Sequence, residues 1–576
     1  MALMRMQQRR NGVLLGSLLA AAGAFCGACP VSAHDAPAAR RSVAGPPTVA
    51  QKQRPCGGNQ PCEASTQRHL RNTTPKLAKK RKDVERFAKR VDEILAAQDA
   101  RKAEWGILIV DQKTGETLYG SNAENYFVPA SNMKLFTTAL AMTKLGPAYR
   151  FTTTVSTMGT ISADGRLTGD LILLGRGDPN LSNRKFPFGK EVEREGPPES
   201  VLAELASALA ARGIAQIDGN VIADDSYFSA ERYPGGWEID DMVWSYGAPV
   251  SALAVNDNIV TIELHAGEKV GDASTYTMEP WTEDLTLKND VVTGLAGTKP
   301  ELALSREPGA RLVILTGAVP LGSTPHRLVL AIAEPAEHAA RLLKRMLETR
   351  GITVGGDPQA RHYLQPAQGA VAEPANEAAP ALVLASHTSV PLADAIRLVN
   401  KISQNLHAEM LLRTSARETS GAITLDDALK CAREFYTSIG IPSDDLAIND
   451  GSGLSRRDLV TPAAVVTLLR YTAAQPWASV YEASLPISGE DGTLAERMKR
   501  TAAAGRIHAK TGTVEHVSAL SGFAETLGGE RLVFSIFGNN FAGKGHDEVM
   551  VIDAICAAMV EELGASKKTK RKEKGH

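Results

Sequence analysis

Residues 129–142 read Pro-Ala-Ser-Asn-Met-Lys-Leu-Phe-Thr-Thr-Ala-Leu-Ala-Met. Leu135, Phe136, Leu140 and Met142 recur at helical spacing, and Pro129 stands where a helix opens. A Ser and a Lys three positions apart share a face only on a helix, so Ser131 and Lys134 are neighbours if this segment is helical. The Ser131 hydroxyl then stands at the positive end of the helix dipole, which favours a developing negative charge. A serine hydroxyl is a poor nucleophile until a base takes its proton, and a lysine one turn away serves if its ammonium pKa is lowered. The same pattern recurs at Ser182-Asn183-Arg184-Lys185, but between Pro179 and Pro187, where a helix is not expected.

Two more short motifs follow in order. Ser403-Gln404-Asn405 offers a hydroxyl to relay a proton and an amide to hold a substrate. Lys510-Thr511-Gly512 follows Arg506 to Ala509, which reads as an edge strand, and leads to Thr513-Val514. Lys510 and Thr511 suit a carboxylate, and the like charge of Lys510 is expected to lower the pKa of Lys134. A second Lys-Thr-Gly at 113–115 lies in the turn between the strands Trp105 to Val110 and Glu116 to Tyr119, the default place for such residues. Each motif alone is common. Three in this order point to acyl transfer through Ser131.

The rest of the chain is compatible with an exported, multi-domain protein. It has 576 residues, 43% hydrophobic and 22% charged, which is ordinary globular composition and enough length for several cores. Arg5, Arg9 and Arg10, the apolar run Val13 to Phe25 and Val31-Ser32-Ala33 read as a signal peptide over 1–33. Residues 34–82 carry 11 Lys/Arg against 2 Asp/Glu and the last ten residues 6 against 1, which leaves 83–566 at −18. An acidic body excludes a nucleic-acid groove there, while the basic linker 34–82 and tail 567–576 suit an anionic membrane or wall surface. Cys56 and Cys62 flank a turn that a disulfide would close, whereas Cys431 and Cys556 read as helix-face positions. No Cys/His spacing suggests a metal, and no cofactor is implied.

Helical periodicity covers Asp83 to Ala97, Ser200 to Arg212, Glu337 to Arg350, the region from Leu392, and Asp547 to Leu563. Short strands and turns fill 151–330, and Pro366 to Pro380 reads as a loose connection. The two ends look α/β and the middle looks like an insertion.

The three motifs and their order resemble those of the class C, type-4 low-molecular-mass penicillin-binding proteins, the D-alanyl-D-alanine carboxypeptidase/endopeptidases of peptidase family S13. Further runs fit that pattern: Gly175-Arg176-Gly177-Asp178-Pro179, Asp224 to Phe228, Gly236 to Asp241, Val250 to Leu253, Asn400 to Asn405 and Asp450 to Arg456. The resemblance spans about Asp83 to Leu563 and implies a penicillin-binding, transpeptidase-like α/β domain interrupted by two nested β-rich domains. That domain would comprise 83–152 and 381–566, the first insertion 153–252 and 331–380, and the second 253–330.

By the same resemblance, Ser131 would be acylated, Lys134 the base and Ser403 the relay to the leaving D-alanine. Lys401 and Asn405 would line the site, and Lys510, Thr511, Gly512 and Thr513 would hold the terminal carboxylate. Backbone N–H groups of Ser131 and Thr513 would form the oxyanion hole. Trp237, Asp240, Leu454 and Arg456 match positions that contact the peptide side chain. On the residues alone, Trp237 is also a packing ring, Asp240 a helix cap and Arg456 one end of a surface ion pair. Gln404 departs from the Asp that penicillin-binding enzymes often carry there. The implied activity is cleavage of D-Ala-D-Ala-type peptidoglycan stem peptides in the periplasm or cell envelope, with beta-lactams acylating Ser131. A beta-lactamase, or a wall-binding scaffold without chemistry, are the rival readings.

Overall fold

Strands covered on both faces carry no polar/apolar alternation, and Val517–Glu525 and Arg531–Asn539 are of this kind, buried at nearly every position. In the computed structural model, which describes residues 81–97, 100–185, 196–364, 381–542 and 546–564, they lie at the heart of a five-stranded antiparallel sheet. Its order is Thr117–Ser121, Glu104–Asp111, Arg531–Asn539, Val517–Glu525, Ile507–Val514. Trp105, Ile107 and Ile109 point to one side, onto Phe87, Ile552, Ile555 and Met559 of the helices Lys82–Leu95 and His546–Glu562. Leu108 and Val110 point to the other, towards Leu135, Phe136, Val465 and Leu468 of the helices Met133–Lys144 and Pro462–Ala473. The sheet thus joins the first described strands to the last, with helices on both faces. Ile507–Val514 is the edge strand, so Lys510 to Thr513 pair with Val517–Glu525 on one side and leave their other backbone edge outside the sheet.

The middle of the chain builds separate sheets. Thr152–Thr157, Leu171–Leu174 and Val221–Ser229 join Pro358–Tyr363 and Leu382–Thr388 in a mixed five-stranded sheet. Ser200–Ala211 and Pro335–Thr349 pack in its apolar cluster through Leu202, Leu205, Leu342 and Leu343. Between Ile259 and Ala331 two three-stranded sheets enclose a core of their own, centred on Val260, Ile262, Val313 and Leu330.

The expected helices are present with ends shifted by a residue or two. The first opens at Lys82, inside the stretch read as linker, and Arg81 is tied to Asp83 and Glu530 at 2.6 and 2.8 Å. Ser182 to Lys185 is not helical, and Lys113 to Gly115 is a turn. Cys431 is half-buried and Cys556 fully buried, both as thiols. The signal peptide, the Cys56–Cys62 turn, the connection 366–380, the basic tail and all of the linker before Arg81 lie outside the described residues. Among the described residues no helix is long and apolar enough to cross a membrane.

Candidate active site

Ser131 is not on the α-helix itself but in a 3₁₀ turn, Ala130–Asn132, that leads directly into Met133–Lys144. Ala130 holds φ +47°, a left-handed conformation costly for a residue with a Cβ. Two glycines let other segments close on this turn. A Cβ on Gly512 would stand 2.6 Å from the Pro129 carbonyl oxygen, and one on Gly453 1.8 Å from that of Ala130. The edge strand and the loop 450–456 therefore press on the turn from different directions, and Asn132 adds a 3.4 Å hydrogen bond to the Lys510 carbonyl.

Every residue from Met133 to Met142 is buried, Lys134 included. Its Nζ lies 2.8 Å from Ser131 Oγ, 2.6 Å from Asn405 Oδ1 and 2.7 Å from the Ser452 carbonyl oxygen. The last two can only accept; Asn405 is held in that orientation because its Nδ2 donates to the Tyr246 carbonyl at 2.8 Å. A neutral amine has two N–H bonds and one lone pair. With both N–H groups spent on fixed acceptors, the lone pair is left for the Ser131 hydroxyl proton. Burial pushes the Lys134 pKa down to about 7, against the opposing pull of Asp450 and Glu409.

This corrects the expectation that Lys510 depresses it. Desolvation leads at Lys134, and the like-charge effect runs the other way. Lys510 is pushed well below the ordinary lysine value, first by burial and then by the charge of Lys134. Lys510 Nζ lies 2.8 Å from Ser403 Oγ and 2.8 Å from the Thr511 carbonyl oxygen. Ser403 stands at φ +63° on the turn before the helix Asn405–Ser420. The three motifs thus meet as two amine–hydroxyl pairs, joined by the two-residue step from Ser403 to Asn405.

Beneath Lys134 lies a set of buried acids that motif spelling did not reveal. The Asp450 carboxylate accepts from the backbone N–H groups of Ser452, Gly453 and Ser455 and from the Trp237 indole at 2.9 Å. It therefore shapes the loop that presents the Ser452 carbonyl to Lys134. Glu409, fully buried, receives Arg413 at 2.8 Å and the Gly451 N–H at 2.9 Å. Burial raises the carboxyl pKa of Glu409, and raises that of Asp458 well above the usual range, with the Asp450 charge adding to both. The Glu409/Arg413 spacing of four on one helix was the legible trace of this cluster.

The remaining expected residues divide. Thr511 is buried and its hydroxyl meets that of Thr493 at 2.8 Å, while Thr513 is exposed on the strand edge. The Lys401 ammonium turns to Asp491, 2.6 Å away, rather than to the serine–lysine pairs. Trp237 and Leu454 share one apolar cluster with Leu406 and Met410. Arg456 pairs with Glu238 at 3.2 Å and donates to the Glu515 carbonyl at 3.0 Å, across from the end of the edge strand. Asp240 is exposed, and its side chain does not cap the 3₁₀ turn Asp241–Val243. The carboxylates of Glu238, Asp240 and Asp241 lie within 4.8 Å of one another, the one such group of His, Cys, Asp or Glu side chains among the described residues. Their charge suits a cationic group. Burial and the Glu238 charge raise the Asp241 pKa to about 6.

Residues 87–559 match the model of the D-Ala-D-Ala carboxypeptidase 3 (S13) family. The chain is 37% identical over 487 residues to a D-alanyl-D-alanine carboxypeptidase of Actinomadura sp., covering 82% of this chain and 84% of that one. It is 27% identical over 429 residues to the D-alanyl-D-alanine carboxypeptidase DacB of Haemophilus influenzae, covering 73% and 82%. The fold superposes on the crystal structure of penicillin binding protein 4 from Haemophilus influenzae with a TM-score of 0.70 at 23% identity, covering 83% of this chain and 99% of that one. With the family matched from the first described helix to the last, the chain belongs to the D-Ala-D-Ala carboxypeptidase 3 (S13) family and is a serine-type hydrolase.

Proposed function

We propose that the protein is an exported DD-peptidase that cleaves D-Ala-D-Ala-type peptidoglycan stem peptides through an acyl-enzyme on Ser131. The observation that carries this reading is the buried Lys134 amine, 2.8 Å from Ser131 Oγ with two fixed acceptors beside it. Ser131 Oγ attacks the carbonyl carbon of the penultimate D-alanine while Lys134 takes the hydroxyl proton. The C–N bond then breaks, and Ser403 passes a proton to the departing amine. Water attacks the ester by the reverse route and frees Ser131. Backbone N–H groups of Ser131 and Thr513 stabilise the oxyanion, and Lys510, Thr511, Gly512 and Thr513 receive the terminal carboxylate. Asn405 holds the peptide amide and the amine together. The acidic group with Asp240, beside Arg456, Trp237 and Leu454, flanks the stem-peptide side chain.

A free terminal D-alanine as leaving group gives carboxypeptidase action, and a cross-linked partner strand gives endopeptidase action. Beta-lactams acylate the same oxygen as substrate mimics. The division into a discontinuous peptidase domain, 83–152 with 381–566, and two nested insertions belongs to this reading, as do the signal peptide and a place in the periplasm or cell envelope. Fluorescent penicillin tests it. One adduct is expected, on the peptide that holds Ser131, and none in Ser131→Ala. Rapid multiple turnover of the penicillin with no lasting adduct would instead identify a beta-lactamase.

A further inference from the structure

The turn that carries Ser403 and Asn405 has to be held accurately, because its two side chains serve different amines. Its middle residue, Gln404, faces away from both. Gln404 Oε1 accepts from the Leu406 N–H at 3.0 Å and so caps the helix Asn405–Ser420. Its Nε2 donates to Asp257 Oδ2 at 3.2 Å. Asp257 comes from the middle of the chain and is 2% exposed. The same carboxylate receives His407 Nε2 at 2.9 Å, Ser182 Oγ at 3.2 Å and Arg184 Nη1 at 2.7 Å. His407 stands on the first turn of the Asn405–Ser420 helix, so Asp257 grips the helix start at two points.

The backbone at Asp257 is unusual. Asn256, Asp257 and Asn258 have φ of +53°, +53° and +55°, three consecutive left-handed residues that all bear side chains. Such conformations persist where the surroundings over-determine them, and they gather at functional sites. Here Asn256 Nδ2 donates to the Ile259 carbonyl at 2.8 Å and Asn258 Nδ2 to that of Pro249 at 3.0 Å, fixing the run from both sides. Ser403, one residue from Gln404, is itself left-handed at φ +63°. Two strained turns, distant in sequence, are thus braced against each other by one amide–carboxylate contact.

We infer that Asp257 is a positioning residue for the Ser403–Asn405 turn, acting through Gln404 and His407. The middle segment of the chain is then a working part of the catalytic site as well as an elaboration of the fold. This inference rests on the roles proposed above for Ser403 and Asn405. It also gives the departure at position 404 a reason: a carboxylate there would face Asp257, whereas the amide of glutamine donates to it.

The test exploits that polarity. Gln404→Glu sets two carboxylates together, and acylation by fluorescent penicillin is expected to slow about 30-fold. The melting temperature of Gln404→Glu is read alongside and is expected to fall by no more than a few degrees, so that the slower acylation reports on the turn. Rates are read as exponentials scaled to the labelled end point, so that only folded protein counts. A Gln404→Glu rate equal to the parent's overturns the inference. If Gln404→Glu does not fold, Gln404→Leu replaces it: an acylation rate about tenfold lower at an unchanged melting temperature supports the inference, and an unchanged rate overturns it. A parent protein that takes no label, or one whose label survives Ser131→Ala, defeats the peptidase reading instead, so the two failures are distinct.

Discussion

The pH dependence of acylation follows from the state of one amine. Lys134 must be neutral to accept the Ser131 proton, and burial sets its pKa at about 7. The competent fraction is then about one tenth at pH 6, about half at pH 7 and about nine tenths at pH 8. Acylation is therefore expected to rise about tenfold from pH 6 to pH 8 and to level off above it. A lysine at its ordinary value would instead give a rate climbing about tenfold per pH unit up to about pH 10, with no plateau before it. The assay is stopped-flow acylation by a chromogenic or fluorescent penicillin, with the second-order rate constant measured between about pH 5.5 and about pH 9.5. Lys134→Arg is the companion variant. A guanidinium keeps its proton throughout this range, so the rate is expected to fall about 10³-fold or more and lose the acid limb. A parent profile that is flat, or that still climbs tenfold per unit beyond pH 9, would refute the assignment of Lys134 as the base.

Other predictions concern the same neighbourhood. Folding disfavours the protonated form of Lys134, so its cost is full below about pH 7 and shrinks as the pH rises towards the unfolded value; urea unfolding should show the parent gaining about 3 kcal/mol relative to Lys134→Met between about pH 6 and about pH 9. Asp450→Ala strands three backbone N–H groups and the Trp237 indole, and is expected to cost about 3 kcal/mol in urea unfolding and to shift the tryptophan emission. Gly512→Ala drives a methyl against the Pro129 carbonyl, so acylation is expected to drop about 10²-fold while the melting temperature moves by only a few degrees.

What the sequence made legible was local. Phe87 and Val91 mark the buried face of the first helix because that helix has one wet side. Ser131, Lys134, Ser403, Asn405 and Lys510 could be named because the short motifs spell them, and the fold brings them together. Short-range pairing could be read, as for Leu520 to Ala524 with Arg531 to Phe537, but the order of the whole sheet could not. Val517–Glu525 is buried on both faces, so its periodicity does not say which strand flanks it on the other side. Nor could the source of the Lys134 shift. Burial is a property of the assembled helix layer, whereas like charge was the only cause visible in a string of letters. Asp450, Glu409 and Asp458 were missed for the same reason: an acid in a loop or helix reads as solvated until its surroundings close over it. Ser182 shows the converse. Its Ser-x-x-Lys spelling mimics the nucleophile motif, but the residue is buried and bonded to Asp257.

The pairing of Glu104–Asp111 with Arg531–Asn539 has a consequence for biogenesis. The strand Glu104–Asp111 waits for a partner made long after it, so a growing polypeptide cannot assemble the sheet behind Ser131 until Arg531–Asn539 has been made. Contacts of such long range form slowly and late. An unfinished polypeptide is therefore hydrolytically dormant, and the strands from Ile507 to Asn539 act as the arming step.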